Sequence, residues 1–341
     1  TMAFDSPCDC CEEIVQSALA NDVKRAIPRI LPIAGSQEEN MPEVKQFLRH
    51  TLPLGWIHIP KCGSSMANIM IHTPGVCRGL PPGVVINQTR YPGMNGYGWG
   101  MLAAFKEEFP LDEVCPGSFS KWGQHEGVGD RYKGQYKGHG IIMLRDPEAR
   151  LVSSYNNGNH DWPPSMRYRR PESLDEYADF VQGCTVKMLA RTGSYETCGE
   201  KPSPSESEVG TAIRMLNGIP FVGITEEWDL SVCLFHKMFG GKCHRREFRK
   251  LHPSKGTASW YQADALNGAK DTLDGSVYDE ATIIFWRNIK KYGVNRAACL
   301  DICSAFPSPF QVTNDTNQMF LANESRSMDH DSVGRLAYIE H

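Results

Sequence analysis

The chain has 341 residues and a mass of 38.2 kDa, enough for one large α/β domain with additions or for two smaller domains. Apolar residues make up 40% and charged residues 22%, an ordinary balance for a soluble globular protein. A formal net charge of -4 argues against general nucleic-acid binding, and no apolar run reaches the roughly 18 residues of a transmembrane helix.

The first 50 residues read as a leader or cap, with short helices expected near 11–20 and 42–50. There is no basic region followed by an apolar run, as a secretory signal would have. The opening Thr1-Met2-Ala3 looks like a truncation point, which leaves room for a membrane anchor ahead of it. Residues 55–60 (GWIHIP) are a short apolar strand, followed by Lys61-Cys62-Gly63-Ser64-Ser65 and a helix over 66–72. The Gly- and Pro-rich stretch 73–100 reads as loop. A second buried strand covers 138–144, and Arg145-Asp146-Pro147 leads into a helix over 148–156. Pro147 suits the first helical turn, where its missing N–H costs nothing.

An amphipathic helix is expected over 174–182 and a flexible excursion over 192–208. A third strand covers 219–225, and helices follow at 228–239 and 278–292. Between those two helices lies a basic loop, 244–260. Strands alternating with helices predict an α/β fold: a central parallel sheet flanked by crossover helices. The main domain is expected over 51–310, with a loosely held polar tail over 311–341.

Twelve cysteines are spaced poorly for metal knuckles, so no metal is expected, and disulfides are the better reading. Sequence alone leaves their connectivity open. Sequons stand at Asn87, Asn314 and Asn323. Together these favour an oxidising secretory lumen, with the cytosol as the alternative.

Two motifs carry chemistry. In the first, a strand runs through a Gly/Ser turn into a helix. Backbone N–H groups and the helix dipole then converge on one spot suited to a phosphate. Lys61 adds a positive charge, and Ser64 and Ser65 add hydroxyls. The Walker order is absent, because the lysine leads the loop. In the second, Arg145 stands past the end of a buried strand, where α/β sheets gather ligands. Its planar fork suits a phosphate, and Ser153 lies two helical turns further on. Asp146 and Arg150 read as ordinary: a strand-end salt bridge with Arg145 and a solvated helix residue.

Together these motifs resemble the sulfotransferases that use PAPS (3'-phosphoadenosine 5'-phosphosulfate), in particular the Golgi carbohydrate branch typified by heparan sulfate 2-O-sulfotransferase. Gly223-Ile224-Thr225-Glu226-Glu227-Trp228 is similar to a strand end of that branch. Residues 244–259 are similar to its basic lid. The resemblance covers roughly 52–295 and implies a P-loop-like sulfotransferase fold. It implies that Lys61, Cys62, Gly63, Ser64, Ser65 and Met66 hold the 5'-phosphosulfate. Arg145 and Ser153 would hold the 3'-phosphate, and Lys255, Gly256 and Thr257 would close over the nucleotide. Cys62 and Met66 replace hydroxyl residues usual in the family. The offset of His125 before Arg145 is similar to that of the branch's catalytic histidine, so His125 is the expected base, with Lys61 assisting. Glu126 and His160 are runners-up, and His58 and His139 read as structural. A disulfide occurs in the branch where Cys184 and Cys198 lie, which implies that they pair.

The expected activity is sulfuryl transfer from PAPS, releasing PAP, to a carbohydrate acceptor, with a small-molecule acceptor as the alternative. Trp99, Trp122, Tyr155, Trp162 and Tyr168, with Arg167, Arg169 and Arg170, are the acceptor-side candidates. A P-loop kinase would need a Walker lysine and a Mg²⁺-binding acid, and neither is evident. A silent binding protein would need broken anion grips, and both motifs are intact. Oligomeric state is left open.

Overall fold

A computed structural model describes residues 41–303, apart from 82, 88–89, 92–100, 124, 159, 163–168, 194–196, 242, 249–265, 267 and 269. The expected helix at 11–20, the lid residues Lys255, Gly256 and Thr257, and the tail at 311–341 lie outside the described residues. Contacts group the chain into residues 1–42 and 43–341, and the sheet with its covering helices belongs to the second unit.

Four strands form one all-parallel sheet in the order β2-β1-β3-β4: β1 (Leu54–Ile57), β2 (Phe119–Trp122), β3 (Gly140–Leu144) and β4 (Phe221–Ile224). Every residue of β1, β3 and β4 is buried, as expected when helices cover both faces of a parallel sheet. β1 pairs with β3 through Gly55↔Gly140, Trp56↔Ile141 and Ile57↔Ile142. The edge strand β2 (FSKW) is half-exposed apart from Trp122. Its Ser and Lys break the apolar run that marks the other strands, and the sequence pattern misses it.

The helices are α1 (Met41–Thr51), α2 (Met66–His72), α3 (Met101–Glu108), α4 (Leu111–Val114), α5 (Pro147–Asn156), α6 (Leu174–Val181), α7 (Cys184–Ala190), α8 (Glu206–Leu216), α9 (Trp228–Phe239), α10 (Thr272–Lys291) and α11 (Arg296–Ile302). α2 and α9 occupy the expected residues. The segment expected to be a flexible excursion instead ends in the start of α8. Ser205 and Glu208 form a reciprocal capping box there, a signal already present in Ser-Glu-Ser-Glu. α10 starts six residues earlier than its periodicity suggests, because Asp271 caps it by accepting from the Asp274 N–H.

Asp146 and Arg150 depart from expectation. The Asp146 side chain caps α5, accepting from the Ala149 N–H at 2.9 Å. Arg150 is not solvated: its side chain is fully buried, 3.7 Å from Asp271 and 3.6 Å from Asp274. The same carboxylates accept backbone N–H groups at the start of α7. Asp271 takes Gly183, and Asp274 takes Thr185 and Val186. One guanidinium thus faces both acids that tie α10 to α7. Burial, then the neighbouring Asp274, push the Asp271 carboxyl up to about 7, with Arg150 opposing.

Cys184 and Cys198 pair as expected, and Cys77 pairs with Cys115. Cys233 bonds Cys299 and Cys243 bonds Cys303, so α11 is held to α9 and to the chain just beyond it. The near-neighbour spacings 233/243 and 299/303 are not the pairings. Closing loops of this size stabilises by roughly 3–4 kcal/mol per bridge on chain-entropy grounds. Four disulfides are the usage of an oxidising compartment. No helix among the described residues is long and apolar enough to cross a membrane.

Removing the Arg150 charge leaves two buried acids uncompensated. Arg150→Met is expected to lower unfolding free energy by about 3–5 kcal/mol, read as a reduced urea midpoint with the slope unchanged.

Candidate active site at the carboxyl edge of the sheet

From β1 the chain leaves one way toward β2, and from β3 it leaves the other way toward β4. The gap beyond the carboxyl ends of β1 and β3 is therefore the switch point, where open α/β sheets bind ligands. Lys61 follows β1 and Arg145 follows β3. The Arg145 guanidinium donates to the Lys61 carbonyl across the gap at 3.4 Å.

The Lys61 loop is tightly specified. Lys61 itself has φ +63°, a left-handed conformation shared among described non-glycine residues only with Asp161. Such a residue costs on the order of 1 kcal/mol and persists where its surroundings impose it. Gly63 has φ +79°, and a Cβ there would stand 2.9 Å from the Trp228 ring and 3.2 Å from the Thr225 methyl. Only glycine fits.

Cys62 and Met66 turn their side chains into the core. Their N–H groups donate to the carbonyls of Ile59 and Gly63. Both side chains are buried, and both N–H groups are engaged within the loop itself. Burial pushes the Cys62 thiol up to about 12, so it is neutral. Gly63, Ser64 and Ser65 supply the N–H groups of the helix start, which have no intrahelical carbonyl to meet. Ser65 at the N-cap makes no side-chain hydrogen bond to its own helix.

Around Arg145 the end of β4 acts as a brace. The Thr225 hydroxyl and N–H both donate to the Leu144 carbonyl at 2.8 Å. The Glu226 carboxylate lies 3.9 Å from Arg145 and accepts from the Asp146 N–H and the Tyr278 hydroxyl. Burial raises the Glu226 carboxyl, with Arg145 opposing. Ser153 lies on α5 and is buried. Residues 245–248 form a 3₁₀ turn. It is anchored by a buried His236–Glu247 pair at 2.7 Å and by the Trp228 indole donating to the Glu247 carbonyl.

His125 follows β2, beside β1. Its ring lies 4.6 Å from that of His58 and 4.8 Å from that of His160. Nδ1 is 3.7 Å from the Asp161 carboxylate. Burial above all, then His58, His160 and Lys61, hold the His125 pKa well below 6.5. It is thus a neutral imidazole near Lys61.

The other candidates separate. Glu126 is committed to Arg131 at 2.6 Å. The His58 ring faces the Gly123 carbonyl at 2.9 Å, and the His139 ring faces that of Thr51. Trp122 packs on Trp56 and Phe119, and Tyr155 and Trp162 pack on Tyr177. Arg169 pairs with Glu172 and Glu176, and Arg170 is exposed. Trp99, Arg167 and Tyr168 lie outside the described residues. Asp161 is the residue sequence reasoning misses. It neighbours His160 in the chain, but nothing local links it to His125.

Comparison of the chain with protein-family models, with curated proteins and with solved structures returns no match. What stands is the class: an α/β protein with a four-strand all-parallel sheet and a cationic, histidine-flanked switch point.

A histidine with a depressed folded pKa stays neutral while its unfolded counterpart takes a proton near 6.5. Its contribution to stability is therefore complete above that pH and is lost as pH falls toward the folded pKa. Histidine-selective NMR should show His125 titrating below 6.5, and His125→Asn should flatten the fall in stability between about pH 6.5 and 5.

Proposed function

We propose that the protein is a PAPS-dependent sulfotransferase. The observation that carries this reading is the pairing of Lys61 and Arg145 across the switch point. Two cationic grips on neighbouring strand ends suit a donor with two separated anionic groups, whereas one phosphate cradle would not need the second. The donor set fits PAPS chemically: a lysine, an arginine, two serine hydroxyls and a helix start. Lys61, Gly63, Ser64 and Ser65 would hold the 5'-phosphosulfate, and Arg145, with Ser153, the 3'-phosphate. The donor supplies a sulfuryl group on a phosphate leaving group.

Each residue then has a task. His125, neutral at working pH, takes the proton of the acceptor hydroxyl or amine as that atom bonds to sulfur. Asp161 stands behind the imidazole and stabilises it once charged. Lys61 offsets the negative charge that builds on the oxygen of the breaking sulfur–oxygen bond. Glu226 holds Arg145 in orientation. Electrons balance: one sulfur–oxygen bond breaks, one bond from the acceptor to sulfur forms, and the proton rests on His125.

A carbohydrate acceptor in the Golgi lumen or elsewhere in the secretory pathway is supported by the four disulfides and the motif resemblance. A small-molecule acceptor is the alternative. A P-loop kinase is disfavoured because the lysine precedes the glycine and the loop lacks the Walker order.

PAP at millimolar concentration should raise the melting temperature by binding linkage; no shift would overturn the reading. Lys61→Ala and Lys61→Gly should both abolish the shift. Only the glycine variant should keep or exceed wild-type stability, by about 1 kcal/mol over alanine, because it accepts the positive φ. His125→Ala should keep the PAP shift and lose roughly 10²–10⁴-fold in turnover of labelled PAPS on a responsive acceptor from a glycan and phenol panel.

A further inference from the structure

We propose that His125, His160 and Asp161 form a binding site for a divalent transition-metal ion of the zinc type. Each offers one ligand atom, and the three atoms lie within 4.8 Å of one another. Three points so spaced share a centre no more than about 2.8 Å from each. Side-chain shifts of roughly 0.7 Å would bring them to the ~2.0–2.2 Å of zinc–nitrogen and zinc–oxygen bonds.

A second observation points to a cation independently of that spacing. The Asp161 side chain is only 2% exposed, and its Oδ2 has no hydrogen-bond partner among the described residues. A buried carboxylate oxygen left so is costly. Its neighbour Oδ1 faces His125 at 3.7 Å, too far for a hydrogen bond. Asp161 holds φ +68°, a left-handed setting that Asp adopts more readily than most residues. Two imidazoles with a carboxylate make a mix of nitrogen and oxygen donors that suits zinc and its neighbours better than Ca²⁺ or Mg²⁺.

The residues around the cluster also set its chemistry. The His160 backbone is fixed: its N–H donates to the Ser154 carbonyl, and its carbonyl accepts from the Tyr177 hydroxyl. His58 packs on His125 and keeps its Nδ1 on Gly123. Lys61 is the cation felt by His125, and it opposes a bound ion, which limits affinity. Three protein ligands leave a coordination position open. If His125 is the base for sulfuryl transfer, an ion held there withdraws it from proton transfer, so the ion acts as an inhibitor. The site itself does not rest on that reading.

The test is calorimetric titration of the metal-free, full-length protein with ZnCl₂, followed by Co²⁺ as a spectroscopic probe. One ion is expected to bind with micromolar or tighter affinity, and Co²⁺ should give the intense visible bands of a low-coordinate nitrogen/oxygen site. His160→Gln and Asp161→Asn should each weaken binding at least tenfold and abolish the Co²⁺ bands, while His244→Gln on the exposed surface should change neither. Absence of binding below millimolar zinc would overturn the site, as would folded His160→Gln and Asp161→Asn variants that bind as wild type does. If one variant fails to fold, the other decides. The PAP melting shift is measured in parallel: zinc binding without a PAP shift upholds the metal site and sinks the sulfotransferase reading, and a PAP shift without zinc binding does the reverse.

Discussion

The parallel pairing of β1 with β3 is the constraint on which the rest of the site depends. Their register, Gly55 opposite Gly140 and Ile57 opposite Ile142, brings two loops far apart in sequence to adjoining positions. Because β2 lies beyond β1 and β4 beyond β3, the helices that follow the two loops depart in opposite directions. The two loops nevertheless adjoin, and the Arg145–Lys61 hydrogen bond joins them. With any other strand order the lysine and the arginine would serve separate surfaces.

The frame behind that opening is secured largely by buried charge. Arg150 on α5, one turn past the arginine that faces the gap, meets Asp271 and Asp274 at the start of α10, and these acids take the first N–H groups of α7. Lys187 on α7, fully buried, donates to the carbonyls of Phe180 and Cys198, beside the Cys184–Cys198 bridge. Breaking such a buried charge cluster by removing one partner is costly, so it ties α5, which follows Arg145, to α7 and α10. Packed against β4, α9 carries Trp228, whose ring closes on Gly63, and α11 is stapled to it by a disulfide.

Much of the fold was legible in the chain. The buried strands β1, β3 and β4 show as short apolar runs, and α2 and α9 match their periodic segments. The edge strand β2 was hidden because an exposed strand needs no apolar run. α8 was hidden because a Gly/Ser/Glu-rich composition outweighed its capping box. The burial of Arg150 is not legible locally, because a helical arginine is ordinarily solvated and the two acids that meet it lie far downstream.

The residues alone determined the local chemistry: a lysine-led Gly/Ser turn that departs from the Walker order, an arginine at a strand end, and cysteine usage suited to an oxidising compartment. These depend on neighbours within a few positions, so sequence contains them. The tertiary structure alone decided which of those groups meet. It set Lys61 against Arg145, turned Cys62 and Met66 into the core, paired Cys233 with Cys299 rather than Cys243, and brought Asp161 and His160 to His125. Each of these follows from strand order and helix packing, which are settled by burying the whole apolar surface at once, and no local segment records that outcome.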